Sequence, residues 1–291
     1  MNKNMKWYLL LILNFIVWGT QHPPIKILSN EISPFLFNFL RFGIACLVLL
    51  PFVIKQRILP EKKDLLRISL LGIIGISLYG LLVVIGISLS TATNSSILIN
   101  SSPLLIAFLA PLLIGEKTNI KKVMGIVLGF IGAVLVISRG PDVLGVMSSE
   151  YFFGNILLFS SAFFVAVYSI YNKRFIQKYG GLGTTFYAVL AGTLLLFIMS
   201  VVSGDLFQIS EVTQNSFLMM SYVAIITTAL TWVIWFKSIN RIGILNTSSF
   251  FFLIPVSGIL SSYLILGELL TPFILIGIVL ILIGVYIVQK N

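Results

Sequence analysis

Few side chains in this sequence could carry chemistry, and most of them lie inside apolar runs. The 291 residues include one histidine, His22, and one cysteine, Cys46. Hydrolysis or metal-assisted chemistry needs paired carboxylates, a His/Cys/Asp/Glu cluster or an activated nucleophile. No carboxylate falls within an apolar run, and no glycine-rich loop is placed to cradle a phosphate. A lone cysteine supplies neither a disulfide nor a thiolate metal site within one chain. We therefore expect no catalytic centre, no metal and no cofactor. What the apolar runs do carry is uncharged polar groups next to prolines. Asn94, Ser95, Ser96, Asn100, Ser101 and Ser102 precede Pro103, while Asn246, Thr247, Ser248, Ser249 and the block Phe250-Phe251-Phe252 precede Pro255. A proline inside a helix frees a carbonyl about one turn upstream, which nearby hydroxyl or amide groups can satisfy. Such groups can solvate a small polar molecule, and the same groups can simply hold helices together. Asn94, Asn100 and Asn246 are candidates on either reading, with Pro103 and Pro255 as candidate hinges.

Arg41 is the one charge deep in an apolar run, roughly 10 Å from the nearer boundary at about 1.5 Å per residue. A guanidinium there must face the interior and find carbonyls, an anionic partner or a route outward to Glu31. Gating, structural support and solute binding all fit that position. His22 stands beside Pro23-Pro24, which should break the first helix. It is the only group titrating near neutral pH, hence the only candidate proton carrier. Aromatic rings able to stack on a solute are Trp18, Tyr79, Tyr168, Tyr171, Trp232 and Trp235. Of these we select Trp18, Tyr79, Tyr168 and Trp232 as candidate solute-binding residues and assign Trp7 and Tyr8 to an interfacial belt.

These residues need elements to hold them, and composition says which kind. The chain is 58% hydrophobic and 10% charged, with a mean hydropathy of +1.08. A soluble globule carries roughly 25% charged residues, so this chain cannot cover a water-facing surface. An all-α polytopic membrane protein is expected, because in lipid every backbone polar group must be satisfied internally. Apolar segments of spanning length are read at 7–28, 34–54, 66–88, 94–114, 120–138, 153–172, 183–203, 216–236, 244–266 and 272–288. Lys3 and Lys6 followed by an apolar stretch resemble a signal peptide, yet no small-residue cleavage site follows, so the first segment is read as a retained span. Thr271-Pro272 reads as a helix start, threonine as N-cap and proline in the first turn.

The loop charges support ten spans. With a cytoplasmic N-terminus, 16 of the 19 basic residues fall at the inner face; the exceptions are Lys26, Arg41 and Arg139. This is the segregation that sets orientation, and it puts both termini in the cytoplasm. The net charge of +10 is then an orientation signal and not a nucleic-acid footprint. Six of the nine acids fall outside, though acids weigh little in that rule.

Residues 94–136 and 246–288 are one segment written twice at an offset of 152, identical at 13 of 43 positions. Asn94, Ser96, Pro103, Gly115-Glu116, Gly125 and Gly132 match Asn246, Ser248, Pro255, Gly267-Glu268, Gly277 and Gly284. Five spans per copy is an odd number, so the copies must run in opposite directions: an inverted repeat with a site between the halves. The expected division is 1–138, a connecting extracytoplasmic loop 139–152, and 153–291. Segments 3 and 8 extend the match weakly; segments 1–2 and 6–7 show no register. Gly125, Gly129, Gly132, Gly277 and Gly284 form a packing face. Glu116 and Glu268 are expected to complement the dipoles of the helices that follow them.

Trp18-Gly19, Arg41-Phe42 and the recurring Pro…Gly-Glu…Gly…Gly pattern over essentially the whole chain resemble the drug/metabolite transporter superfamily, and within it EamA-type exporters of ten spans. The resemblance implies a plasma-membrane carrier with a central cavity formed mainly by segments 1, 3, 4, 6, 8 and 9. It implies small metabolites as substrates, especially amino acids and related compounds, commonly moved outward. The second copy departs from the first: Leu269-Leu270 stands where the first has Lys117-Thr118, and segment 6 is tyrosine-rich where segment 1 has Trp-Gly. The expected function is alternating-access transport of a small polar or amphipathic solute in the lipid bilayer, facilitated or proton-coupled, with oligomerisation open. A channel and a non-transporting scaffold or receptor are the alternatives. Saturable counterflow would separate a carrier from both.

Overall fold

The computed structural model describes residues 5–90, 97–138, 151–257 and 271–290, with the side chains of His22, Pro23, Lys26, Ser29, Asn30 and Glu211 outside that description. The expectations for Asn94, for Gly267-Glu268 and for most of the loop 139–152 therefore lie outside the described residues. The described residues form helices and turns, with no strand among them. Twelve α-helices are α1 (Met5–Gly19), α2 (His22–Glu31), α3 (Pro34–Lys55), α4 (Lys62–Gly72), α5 (Tyr79–Ser88), α6 (Ser102–Ile114), α7 (Ile120–Ser138), α8 (Phe152–Val202), α9 (Gln214–Ala224), α10 (Thr231–Ile242), α11 (Ile244–Ser248) and α12 (Pro272–Lys290). Two π-helical segments, π1 (Ile73–Leu78) and π2 (Ile225–Leu230), join α4 to α5 and α9 to α10. Among the described residues, seven helical stretches are long and apolar enough to cross a membrane, and Met5–Gly19 and Ile244–Ser257 are shorter apolar ones. The 51-residue α8 is two arms meeting at Gly180, whose φ of 74° and ψ of 164° suit a residue without Cβ.

Prolines act at starts more than inside helices. The break expected at Pro23-Pro24 falls at Thr20-Gln21 instead, because Pro23 and Pro24 occupy the first turn of α2, where their missing N–H costs nothing. Likewise Pro103 does not kink a continuous helix: the chain turns at Asn100-Ser101 and α6 begins just before the proline. In the matching segment a 3-10 stretch, Ser249–Phe252, precedes Pro255. Serine hydroxyls near both prolines turn back to carbonyls three residues behind them. Ser101 Oγ donates to Leu98 O (2.6 Å), Ser248 Oγ to Leu245 O (3.1 Å) and Ser249 Oγ to Asn246 O (2.9 Å).

Element boundaries repeat more widely than residue identities. The starts of α4 and α9, of π1 and π2, and of α7 and α12 are each 152 apart. The caps repeat too: Lys122 N donates to Asn119 Oδ1 (2.8 Å) and Ile274 N to Thr271 Oγ1 (3.4 Å). For segments 1–2 and 6–7 the offset is 147: α3 and α8 end at Lys55 and Val202. The break at Ser33 matches that at Gly180 at the same spacing. The difference is absorbed between Val202 and Gln214, where a 3-10 helix, Asp205–Glu211, has no counterpart between Lys55 and Lys62.

The glycine face packs α7 on α12. A methyl added at Gly125 would stand 2.8 Å from the Gly284 carbonyl oxygen, and one at Gly277 2.7 Å from that of Gly132. Residue numbers rise along one helix as they fall along the other, so these two related helices are antiparallel. The contacts are reciprocal between counterparts, as a twofold axis between them requires. Cys46 likewise lies against Thr193, its own counterpart at 147.

Gly284→Val should lower stability by about 1–3 kcal/mol, because the added Cβ meets only backbone of Gly125 and Gly129. Gly43→Ala, whose nearest neighbour atom would lie at 3.7 Å, should be neutral or stabilising by up to about 1 kcal/mol. Thermal unfolding in detergent micelles checks both; equal effects would contradict the packing described.

Candidate functional site

A π-helical turn inserts one residue into an α-helix and leaves backbone groups out of the regular ladder, and such turns are frequent at functional sites. Here two of them occur at equivalent positions, each clasped by helices from the other end of the sequence. Gly75 and Gly72 of the α4–π1 stretch admit the Tyr168 ring and the Ala188 backbone, and Ser77 Oγ donates to Gly192 O (2.8 Å). On the other side, Trp18 Nε1 donates to Thr227 O (2.9 Å) and Arg41 Nε to Thr228 Oγ1 (2.7 Å). Thr228 passes its own proton to Val223 O (2.8 Å), which fixes its oxygen as the acceptor for Arg41. Arg41 Nη2 donates to Gln21 Oε1 (3.1 Å), and its guanidinium lies 5.3 Å from the centroid of the Phe42 ring. Tyr79, the first residue after π1, is near enough to Arg41 for the two to couple electrostatically.

Around α10 these groups join an aromatic layer. Trp18 packs on Phe15 (5.0 Å between centroids), Phe251 (5.4 Å) and Trp235 (6.1 Å). Trp232, one turn from Trp235, meets Tyr168 (6.0 Å), Phe236 (6.2 Å) and Phe42 (6.3 Å). The structure thus brings together Trp18, Tyr79, Tyr168, Trp232 and Arg41. It leaves Asn246 apart, in the first turns of α11, where its backbone oxygen accepts from Gln289 Nε2 (2.8 Å). Asn100 is buried at the turn before α6. For His22 only the backbone, at the first position of α2, is described. Arg41 does not reach Glu31, which instead accepts from Ser216 Oγ (2.5 Å).

Several buried polar atoms in the bundle have no hydrogen bond. Both amide atoms of Asn14 and of Asn172 and the Ser102 hydroxyl are buried and unpaired among the described residues. The Tyr168 hydroxyl interacts with Asn172 one turn on, without a well-formed bond. Each orphaned group costs about 1–3 kcal/mol unless a polar molecule joins it. Clefts of about 290 and 340 Å³ lie elsewhere, the first an apolar flank at Leu104, Pro111 and Ile126, the second beside Lys173 and Arg174.

Side chains tie the bundle at both ends. At one end Lys178 Nζ donates to Glu61 Oε1 and Asp64 Oδ2 (2.8 Å each), Tyr179 Oη donates to Asp64 Oδ2 (2.7 Å), and Lys173 pairs with Glu116. Glu116 therefore does not serve the α7 dipole as expected; Asn119 caps α7 and Glu116 is drawn to the lysine. At the other end Ser33 Oγ donates to Asp205 Oδ2 (2.6 Å), Ser33 N to Gln208 Oε1 (2.9 Å), and the Thr20 and Tyr222 hydroxyls share a hydrogen bond (2.5 Å). Gln21, Thr227 and Thr228 were not among the residues singled out from sequence. Their signal was a pair of hydroxyls midway along an apolar run, and a glutamine next to Trp18-Gly19.

Comparison with known proteins places this arrangement. The model of the EamA-like transporter family matches residues 5–138 and again residues 152–289. A protein of Archaeoglobus fulgidus named "uncharacterized transporter" is 30% identical over 98% of this chain and 97% of its own length. "Uncharacterized transporter YyaM" of Bacillus subtilis is 28% identical over 97% and 93%. A solved crystal structure superposes with a TM-score of 0.83 over 98% of this chain and 96% of the other at 19% identity, a likeness in fold.

The charged tie makes a pH prediction. Hydrogen bonds from Lys178, then from Tyr179, hold the Asp64 carboxyl below the usual carboxylate range. The bonds to Asp64, then to Glu61, raise Lys178 above the usual lysine range. A depressed carboxyl stabilises the fold above its unfolded pKa of about 4, and that contribution is lost as pH falls through the folded value. The raised lysine contributes below about pH 10.4 and loses it as pH rises through its folded value. Asp64→Asn should therefore lower the unfolding temperature between those limits, and the deficit should fade in acid and shrink in high salt. A deficit independent of pH would show that the carboxylate's charge plays no part.

Proposed function

The chain belongs to the EamA-like transporter family, and from that premise we propose a carrier that moves a small metabolite across the plasma membrane by alternating access. The observation that carries the reading is the pair of π-helical turns at one register, holding Trp18, Arg41 and Tyr79 between side-chain ties at both ends of the bundle. A solute held at that level has a tie on either side of it that must open for release. In this proposal residues 1–138 and 153–291 are two inverted five-span halves. The seven long apolar stretches, with α8 counted as two arms and the two shorter helices added, give the ten spans. Basic loops orient both termini to the cytoplasm. Substrates are amino acids or related amphipathic solutes, and the direction is outward. No ATP-binding motif is visible in the sequence and no carboxylate lies within a span, which favours facilitated movement, with His22 the one candidate for proton coupling.

Full-length protein in proteoliposomes should show saturable uptake and counterflow for members of an amino-acid and organic-acid panel; a channel or scaffold would show no counterflow. Trp18→Ala should reduce counterflow roughly tenfold or more, through loss of a buried ring and of its hydrogen bond to π2. Asn246→Ala, outside the aromatic layer, should stay within about twofold of the parent. The reverse ranking would move the site toward α11 and away from π2. For His22→Gln, an unaltered pH dependence of uptake would leave the carrier facilitated.

A further inference from the structure

Arg41 is a cation deep in the bundle, and every partner the structure gives it is neutral. Its Nε–H goes to a threonine hydroxyl and one Nη2–H to a glutamine carbonyl, which leaves the Nη1 edge of the fork with no acceptor among the described residues. The described carboxylates with a side-chain partner are all engaged elsewhere: Glu31 with Ser216, Asp205 with Ser33, Glu61 and Asp64 with Lys178, Glu116 with Lys173. A guanidinium at such depth is costly and calls for a counter-charge. Its planar fork matches a carboxylate through two parallel hydrogen bonds. Arg41 keeps part of its surface accessible despite its depth. The aromatic layer starts at Trp18, which is bonded to the residue adjacent to Arg41's threonine.

We propose that Arg41 anchors the acid group of the transported solute, so that the substrate is a small organic acid with an apolar or aromatic body, carried as its anion. This rests on the carrier reading above and adds the chemical class. Two consequences follow. Acids should be preferred to their neutral carboxamides of the same shape. Because no carboxylate within a span accompanies the arginine, the loaded and empty carrier differ by one negative charge, and a membrane potential, inside negative, drives the anion outward without a coupling ion.

The test uses the full chain, in micelles for thermal stabilisation and in proteoliposomes for counterflow. Probes are phenylpropionate and isocaproate, the carboxamide of each, and inorganic phosphate and chloride. The acids should bind at least roughly tenfold more tightly than the amides, and their flux should follow the sign of a potassium diffusion potential. Arg41→Gln should abolish the acid preference, and Arg41→Lys should retain part of it. Gln21→Ala and Thr228→Val loosen the arginine's tethers but keep the cation, so they should keep the preference.

Equal acid and amide affinity in the parent protein, which needs no variant, would overturn the assignment. So would Gln21→Ala and Thr228→Val reproducing Arg41→Gln, which would make the arginine a latch between helices. Phosphate or chloride binding as well as the organic acids would reduce the site to one for inorganic anions. Silence of the whole panel, neutral and anionic alike, would instead remove the carrier reading itself.

Discussion

Every peptide group in this bundle must find its partner within the chain, and the rest of the structure follows from that constraint. An apolar helix satisfies it automatically, so wherever the helices depart from the α ladder, other groups must step in. The departures here are the π-helical turns, the breaks before Pro103 and Pro255, and the corner at Gly180. At each there is a substitute. Trp18 takes the Thr227 carbonyl, Ser101, Ser248 and Ser249 take the carbonyls a turn behind them, and Thr227 and Thr228 both turn back to Val223 O. The same departures also bring polar groups within the apolar bundle, so the constraint that shapes the fold bears on where the site lies.

That link explains what could be read from the residues and what could not. Apolar length, loop charge and the 152-residue repeat are local or periodic properties, and they anticipated the helices, the Thr271 cap and the glycine crossing of α7 and α12. The register of segments 1–2 against 6–7 was hidden by a short insertion at Asp205–Glu211 that shifts the offset to 147. Because few residues are identical there, only matched helix ends reveal it. Trp18, Tyr168 and Trp232, chosen from residue type, lie in the aromatic layer, and their contact with a solute belongs to the proposal. The assignment of Glu116 failed because its partner Lys173 is remote in sequence, and a nearby ammonium outcompetes a helix dipole.

Scaffold and chemistry divide along the symmetry. Glycines, caps and π turns recur in both copies, because each half must fold and pack by the same geometry. The polar groups of the site do not recur. Arg41 corresponds to Ala188 and Trp18 to Val165 at the offset of 147, while Thr228 corresponds to Ile76 at 152. Each π turn is clasped by the opposing pair of helices, yet the π2 clasp uses the Trp18 and Arg41 side chains as donors, while the π1 clasp combines the Tyr168 ring against Gly75 with one serine hydrogen bond to Gly192 O. One copy has kept the backbone device and changed the side chains that face it.

The same asymmetry reaches the two ends. Asp64 and Glu61, which meet Lys178, correspond at 152 to Ser216 and Thr213. One closure is therefore built from ion pairs, exposed at Lys178–Glu61 and part-buried at Asp64 and Lys173–Glu116, and the other chiefly from hydroxyl–carboxylate and hydroxyl–hydroxyl contacts. Exposed pairs contribute only about 0–1 kcal/mol each and are screened by salt, while a hydroxyl bonded to a carboxylate contributes about 1.5–3 kcal/mol. Neither closure is deep. For the proposed carrier this is a requirement, because a solute can shift the protein between two closures only if they differ by no more than its binding free energy distinguishes. Unlike chemistry of modest strength meets that requirement while leaving one end sensitive to ionic strength and the other much less so.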